Sequence, residues 1–530
     1  MGLRIWDGAV FRRIWFAVEV LALSGLILLT RCANYQDVFI GGNIYFTDAD
    51  CYARMTRVRI CAERPGTIVR HHDFENFPKG TNPHVTAPLD YLIVTLSILL
   101  RPFTPQPMDL AGAIVSPLLA LIGGWFLWWW SRRTRIPYRW AMLILYAISP
   151  ILVHGTELGR PDHQSLLILL VTIGLCSELS LQSEPSRSLG VVSGMAWALA
   201  LWVSFYEPLI LLAVVLLTVA LTQDRHLLHS RHRRTGWLFF AVVIAIALLV
   251  ERRMPSLSIF QSGALFQNWS KSIGELAPVS LRNRIWFVWA GYMIAIAPLL
   301  IWIGSRQNQS TNKSRTASVF IIALLVATFG LTIWQARWSY FFVLIFAIAL
   351  PSLLSPINPR VTVWAAFGLS ILPLLQFWDA KIWPIEFELA RRIERQNEAT
   401  QLRQLAISIR SERTHAFLAP WWLSPSISYW SGQPAVAGSS HESLEGIADS
   451  ARFFLAEDYR NARQILAGRQ VEWVFAYDWD RVGRNSADLL GIPIGERLLG
   501  SVLSRTPAQA PADLVLAGQN GAAKLFRFVK

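Results

Sequence analysis

Asp48, Asp50, Asp162 and Glu275 stand in short polar stretches that interrupt long apolar ones. Carboxylate oxygens of this kind suit hard dications such as Mg2+ and Mn2+. The first pair lies in Thr47-Asp48-Ala49-Asp50-Cys51-Tyr52, Asp162 in Gly159-Arg160-Pro161-Asp162-His163-Gln164, and Glu275 in Ser272-Ile273-Gly274-Glu275. Each also has a plainer reading. Asp48 and Asp50 fit a helix cap or solvated turn, and Asp162 can cap the helix after it. His163 can be an ordinary interfacial histidine, and Glu275 a solvated acid on a connection. A fourth stretch, Gln335-Ala336-Arg337-Trp338-Ser339-Tyr340, sets an arginine in a tight turn between two apolar runs. An arginine at that depth is costly unless paired. Its planar fork suits phosphate oxygens, although snorkelling to lipid headgroups would also place it there. Tyr206 and Glu207 occupy a comparable turn, where helix-end packing outweighs a pocket-lining role.

The elements that must position these residues are membrane spans. Of the 530 residues, 53% are hydrophobic and only 16% charged, a balance that excludes a water-soluble protein of this size. The 24 tryptophans fit extensive contact with the membrane interface. Apolar runs long enough to cross a bilayer lie at 14–31, 110–130, 137–153, 163–180, 189–205, 206–222, 236–250, 285–304, 317–334, 338–355 and 360–378. The shorter run 87–101, flanked by prolines, reads as a re-entrant or interfacial helix. Residues 14–31 lack a small-residue cleavage pattern and read as a retained span.

Net charge is +14, yet much of the excess sits in short loops such as Ser131–Arg135 and Arg231–Arg234. That pattern marks cytoplasmic anchors and argues against a nucleic-acid partner. Eleven crossings put the basic loops 131–135, 223–235 and 305–316 on one side. The outside then receives 32–109, 154–162, 251–284 and everything after 379, so all four acidic residues and Arg337 share one face. Arg54, Arg57, Arg59, Arg64 and Arg70 in the first outer loop run against the usual bias, which calls for an anionic headgroup or ligand there. Cys51 and Cys61 share that loop, as a disulfide or as two small buried thiols.

From 379 the composition turns charged and helix-forming (Glu386 to Arg413), and the alternating stretch Val471–Tyr477 reads as a strand. The expected fold is a polytopic α-helical membrane domain, 1–378, followed by an extracytoplasmic mixed α/β domain, 379–530. Internal repeats are absent.

In this order the stretches resemble the catalytic subunit of oligosaccharyltransferase, the membrane enzyme of protein N-glycosylation, within the GT-C glycosyltransferase fold of about 11–13 transmembrane helices. Asp50 looks like that family's first-loop metal aspartate. Asp162-His163-Gln164 is similar to its second acidic motif, and Ser272–Glu275 to its S/T-x-x-E motif. Arg337 resembles the arginine that holds the donor pyrophosphate. Trp421-Trp422-Leu423-Ser424-Pro425, with Gly432–Val436 after it, looks like the W-W-D-Y-G region. The resemblance implies a metal-dependent, inverting glycosyltransferase with Mg2+ or Mn2+ held by Asp50, Asp162 and Glu275, and with Asp48 and Gln164 as further donors. It implies a polyprenyl-phosphate or -pyrophosphate-linked sugar at Arg337 and Tyr340, with His163, Trp421 and Trp422 also facing substrates. The setting would be a bacterial or archaeal cell membrane, in contact with membrane lipids. Two departures stand out. Leu423 replaces the aspartate that reads the acceptor sequon, and Gln164 stands where an acid or histidine is usual. The acceptor is therefore open between protein, lipid and glycan. A lipid-linked sugar transporter or a non-catalytic assembly subunit are the rival classes; charges at span ends rather than mid-span argue against transport.

Overall fold

A computed structural model describes residues 8–221, 230–253, 263–307 and 312–529. Parts of the basic loops 223–235 and 305–316 and of the outer loop 251–284 lie outside the described residues. Among the described residues, five helices are long and apolar enough to cross a membrane. Shorter apolar helices and a bent pair, Arg360–Ser370 with Leu372–Ile382, accompany them. The protein is an integral membrane protein.

The chain divides into two compact units. The first comprises residues 1–35, 114–250 and 278–384. Its central helix belongs to the apolar segment Ala336–Leu354, 89% of which is buried, whereas Arg13–Arg31 and Arg231–Glu251 are only 22% and 17% buried within the protein. The latter two bury the smallest share of the five, and their exposed apolar side chains, such as Leu21 and Leu249, need lipid. Gly190 and Gly194 on Arg187–Val203 face Gly236 on Arg231–Glu251; a Cβ on Gly194 would meet the Gly236 carbonyl at 2.1 Å. Small residues let these two backbones touch. Arg233 is buried beside Glu178, with Nη1 and Nη2 at 2.5 and 2.6 Å from its carboxylate.

Three expected spans are broken rather than continuous. The run 137–153 divides into Arg139–Ile148 and Pro150–His154. The run 285–304 divides at Gly291, whose φ of +78° suits glycine. There Ser370 accepts from Tyr292 N (2.9 Å, to its carbonyl) and from Met293 N (2.7 Å, to its hydroxyl), which supplies the donors freed by the break with partners. The third break is the 43° bend at Ile371 that follows Ser370 itself.

The second unit comprises residues 36–113, 251–277 and 385–530. The long helix Glu386–Ser408 leads into a four-stranded sheet. Ala416–Leu418 pairs in parallel with Val471–Ala476, and Ala523–Phe528 lies antiparallel between Val471–Ala476 and Leu514–Asn520. The first loop joins this framework as an added extended segment. Ala435 N donates to Phe74 O and Phe77 N to Ala435 O, both at 3.0 Å.

The first-loop arginines are largely spent inside the unit, which corrects the expectation of an external anion. Arg54 and Arg57 both bind the buried carboxylate of Asp90, on the helix Ala87–Leu100, at 2.9 and 3.2 Å. Arg59 donates to Tyr429 O (2.9 Å) and covers the Tyr429 ring, and Arg70 donates to Glu251 O (2.6 Å). Burying a carboxylate demands such partners. The disulfide alternative is also corrected. All four cysteines are free, and Cys51 and Cys61 sit ten residues apart on one helix, Ala49–Glu63. A rise of about 1.5 Å per residue separates them by far more than a disulfide spans.

Candidate active site

In the first unit, the turn carrying Asp162 is built on a kink. Pro150 has no N–H, so the Tyr146 carbonyl loses its helical donor. Arg31, 0% exposed, supplies one from Nη2 at 2.9 Å and also binds the Ala147 carbonyl and Thr156 Oγ1. Trp378 Nε1 donates to the Ile148 carbonyl at 2.7 Å. The backbone of Arg31 accepts from Leu158 N, Asn34 donates to Leu158 O, and Ser116 donates to Arg160 O. The turn 155–162 is thereby held on both sides.

Within that turn Arg160 bonds Glu157 Oε1 through Nε at 3.2 Å and lies 3.2 Å from His154 Nε2. The other nitrogen of His154 meets the Tyr340 hydroxyl at 2.7 Å, so Tyr340 is 1% exposed and engaged with histidine. Asp162 caps the helix His163–Ser183, accepting from His163 N at 2.7 Å and facing His163 Nδ1 at 2.6 Å. Next to it Gln164 is 2% exposed, and neither its side-chain oxygen nor its nitrogen has a hydrogen-bond partner. A buried amide left unmatched is a costly feature. An amide oxygen of this kind is able to serve as a donor to a hard cation.

Arg337 lies in the short helical turn Ala336–Trp338. Its Nε is 3.2 Å from Oε1 of the buried Glu207, which accepts the Ser204 hydroxyl at 2.6 Å. Glu207 is also coupled electrostatically to His163. The structure thus brings Arg337 and the Asp162-His163 pair to one neighbourhood through Glu207. Sequence reasoning gave Glu207 mainly a packing role; its position at the start of Tyr206–Leu221 was the available signal.

In the second unit, Asp48 caps Ala49–Glu63 by accepting from Cys51 N at 3.0 Å, and Asp50 is exposed in the helix's first turn. Glu275 lies on the single turn Gly274–Leu276, half-buried. The helix before it, Ala264–Lys271, is seated by Trp269, which packs with Ala437, Ile447, Ala451 and Leu489, and whose ring centroid is 6.4 Å from that of Trp421. Trp421 donates to Asn485 Oδ1 at 2.7 Å and packs edge-on against Trp422. The two tryptophans are therefore fixed beside the segment that delivers Glu275. Leu423 stands at the cap position of the helix Ser424–Ser431 and carries an aliphatic side chain where the resemblance implies a carboxylate.

Sequence reasoning missed Glu75. It is 3% exposed, on the added segment beside Ala435, and a Cβ on Gly438 would meet its carboxyl carbon at 2.5 Å. Burial, with Glu442 and Asp50 nearby, pushes its carboxyl up to about 8. Its signal was the ionisable run His71-His72-Asp73-Phe74-Glu75 in one loop. Glu442 goes the other way. Although burial pushes its carboxyl up, the imidazoles of His84 and His441 hold it well below the usual carboxylate range.

The sequence matches no protein-family model. Among solved structures, the oligosaccharyltransferase of Archaeoglobus fulgidus crystallised with zinc and sulfate superposes with a TM-score of 0.68 at 13% identity, over 89% of this chain and 70% of that one. The same enzyme tethered to an acceptor peptide gives 0.66 over 91% and 72%. ArnT from Cupriavidus metallidurans, bound to undecaprenyl phosphate, gives 0.57 at 13% identity over 98% of both chains. This chain has the GT-C fold. The likeness runs through the membrane helices into the C-terminal α/β region, so the GT-C architecture accounts for almost the whole sequence. At this identity it establishes architecture, and the chemistry must be argued from the side chains.

Proposed function

We propose that this GT-C protein is a glycosyltransferase that moves a sugar or oligosaccharide from a polyprenyl-phosphate or -pyrophosphate carrier to an acceptor on the outer face of the membrane. The observation that carries this reading is the order Asp50, Asp162, Glu275, Arg337 in a GT-C fold, the first two at helix starts and the last two on single helical turns. Support for a lipid carrier comes from fold neighbours that hold dolichol-phosphate in one case and undecaprenyl phosphate in the other. A neighbour crystallised with zinc supports use of a dication.

In this reading the candidate ligands are Asp50, Asp162 and Glu275, with Asp48 and Gln164 as further oxygen donors; the unmatched amide of Gln164 fits such a role. A bound Mg2+ or Mn2+ would offset charge building on the leaving phosphate. Arg337 binds phosphate oxygens of the carrier, with Glu207 fixing its orientation. His163, whose Nδ1 faces Asp162, donates toward the same phosphate through its other nitrogen. Asp50, exposed at a helix start, orients or deprotonates the acceptor, which attacks the anomeric carbon from the face opposite the carrier and inverts it. Trp421 and Trp422 offer flat faces to acceptor or sugar. The C-terminal unit then works on the extracytoplasmic side of a bacterial or archaeal cell membrane.

A second reading concerns the acceptor. Leu423 cannot accept a hydrogen bond from a sequon hydroxyl, which favours a lipid or glycan acceptor over a peptide.

The test is transfer by purified protein in lipid nanodiscs. Undecaprenyl- and dolichyl-linked sugars serve as donors, with Mn2+ or EDTA, beside Asp50→Ala and Glu275→Gln. The expected outcome is loss of transfer by about 100-fold or more in each variant and in EDTA. Unchanged turnover in both variants would refute the assignment.

A further inference from the structure

We propose that His84, His441 and Glu442 form a binding site for a transition-metal dication of the zinc class, separate from the carboxylates assigned above to catalysis. The three residues come from two segments more than 350 positions apart, one in the first loop and one ahead of the helix Leu444–Phe454. Their candidate ligand atoms all lie within 4.8 Å of one another. Tetrahedral zinc with bonds of about 2.0–2.1 Å to nitrogen and oxygen needs ligand atoms roughly 3.3 Å apart, so small side-chain rotations close the set.

The parts are already oriented. Glu442 Oε1 accepts from His84 N at 2.8 Å and faces His84 Nδ1 at 2.6 Å. Its Oε2 lies 3.5 Å from His441 Nδ1. The two imidazole centroids are 5.0 Å apart and tilted by 34°. The carboxylate stands between both rings. Glu442 is mostly buried while the His84 side chain is 46% exposed, so a fourth position opens to water. The backbone around His84 is held in place as well. Arg253 donates to the carbonyls of Pro83 and Val85 and to Glu251 Oε2, and Glu251 Oε1 accepts from Ala87 N.

The ligand chemistry differs from that of the catalytic assignment. Two imidazoles and one carboxylate suit zinc, cobalt or nickel, whereas an all-oxygen set suits Mg2+ or Mn2+. Occupancy would tie the first loop to the C-terminal segment within their shared unit. A metal-free alternative is a hydrogen-bonded histidine–glutamate cluster that binds nothing.

The experiment uses the full-length protein in detergent micelles, stripped with EDTA and titrated with ZnCl2 by calorimetry. Wild type is expected to bind zinc and to melt at a higher temperature with it. His84→Ala and His441→Gln should weaken that binding by at least about 10-fold and abolish the thermal shift, since even residues behind a metal's ligands cost that much. Co2+ reconstitution should give visible absorption bands in wild type that both variants lack. Asp50→Ala and Glu275→Gln should keep this binding intact, which separates the site from the proposed catalytic one. Zinc binding, melting and cobalt spectra that are unchanged in His84→Ala and His441→Gln would overturn the proposal, as would wild type that binds no zinc.

Discussion

Arg337 and Glu207 form an ion pair, Nε to Oε1, at 3.2 Å, with the arginine side chain 23% and the glutamate 2% exposed. The arginine proposed to bind the carrier phosphate is therefore held by a carboxylate that sequence spacing does not connect to it. Arg337→Ala should strand a buried charge and destabilise the protein by about 3–5 kcal/mol. Removing both charges with Arg337→Met and Glu207→Gln should restore most of the melting temperature but not transfer from the lipid-linked donor. Thermal melting beside a transfer assay checks this; recovery of transfer in the double variant would remove Arg337 from donor binding.

Arg31 supports the kink that carries the Asp162 turn. Arg31→Ala should cost about 1–3 kcal/mol, because it leaves the Tyr146 carbonyl unsatisfied in the interior, while the Ala147 carbonyl keeps the Thr30 hydroxyl as its donor. Arg31→Lys should recover only part, since a single ammonium lacks the planar fork. Unfolding in mixed micelles followed by tryptophan fluorescence measures both.

Glu75 should make stability depend on pH. Its native carboxyl is raised to about 8 from an ordinary 4.5, so the native state holds a proton that the unfolded chain has released. That contribution is complete below about 4.5 and is lost as pH climbs towards 8, by an amount on the order of a few kcal/mol. Glu75→Gln should flatten this slope. Melting curves at pH 5, 6.5 and 8 decide it; equal slopes in variant and wild type would show that Glu75 titrates normally.

Gly194→Val should force the helices Arg187–Val203 and Arg231–Glu251 apart, because the Gly236 carbonyl occupies the space of the new side chain. A drop in melting temperature, larger than for Gly330→Val, where the space is open, is the expected result.

Much of the architecture could be read without a structure, because the length of an apolar run is a local property. All eleven long apolar runs, and the short run 87–101, coincide with helices or broken helix pairs. The strand at 471 and the helix at 386 also stand where alternation and composition put them. The candidate residues Asp48, Asp50, Asp162 and Glu275 were visible as acids at apolar boundaries, and two of them, Asp48 and Asp162, do cap helices.

Pairing was not legible. Nothing near Arg54 or Arg57 in the chain announces Asp90, nothing near Pro150 announces Arg31, and nothing near His84 announces Glu442. Composition and periodicity decide how long a segment is and which solvent it prefers, since hydropathy sums over neighbours in sequence. The ionisation of Glu75, the partner of Arg337 and the breaks beside Ser370 depend on groups brought close from distant positions. Desolvation and hydrogen bonding act over a few ångströms of space, and only the folded chain sets those distances.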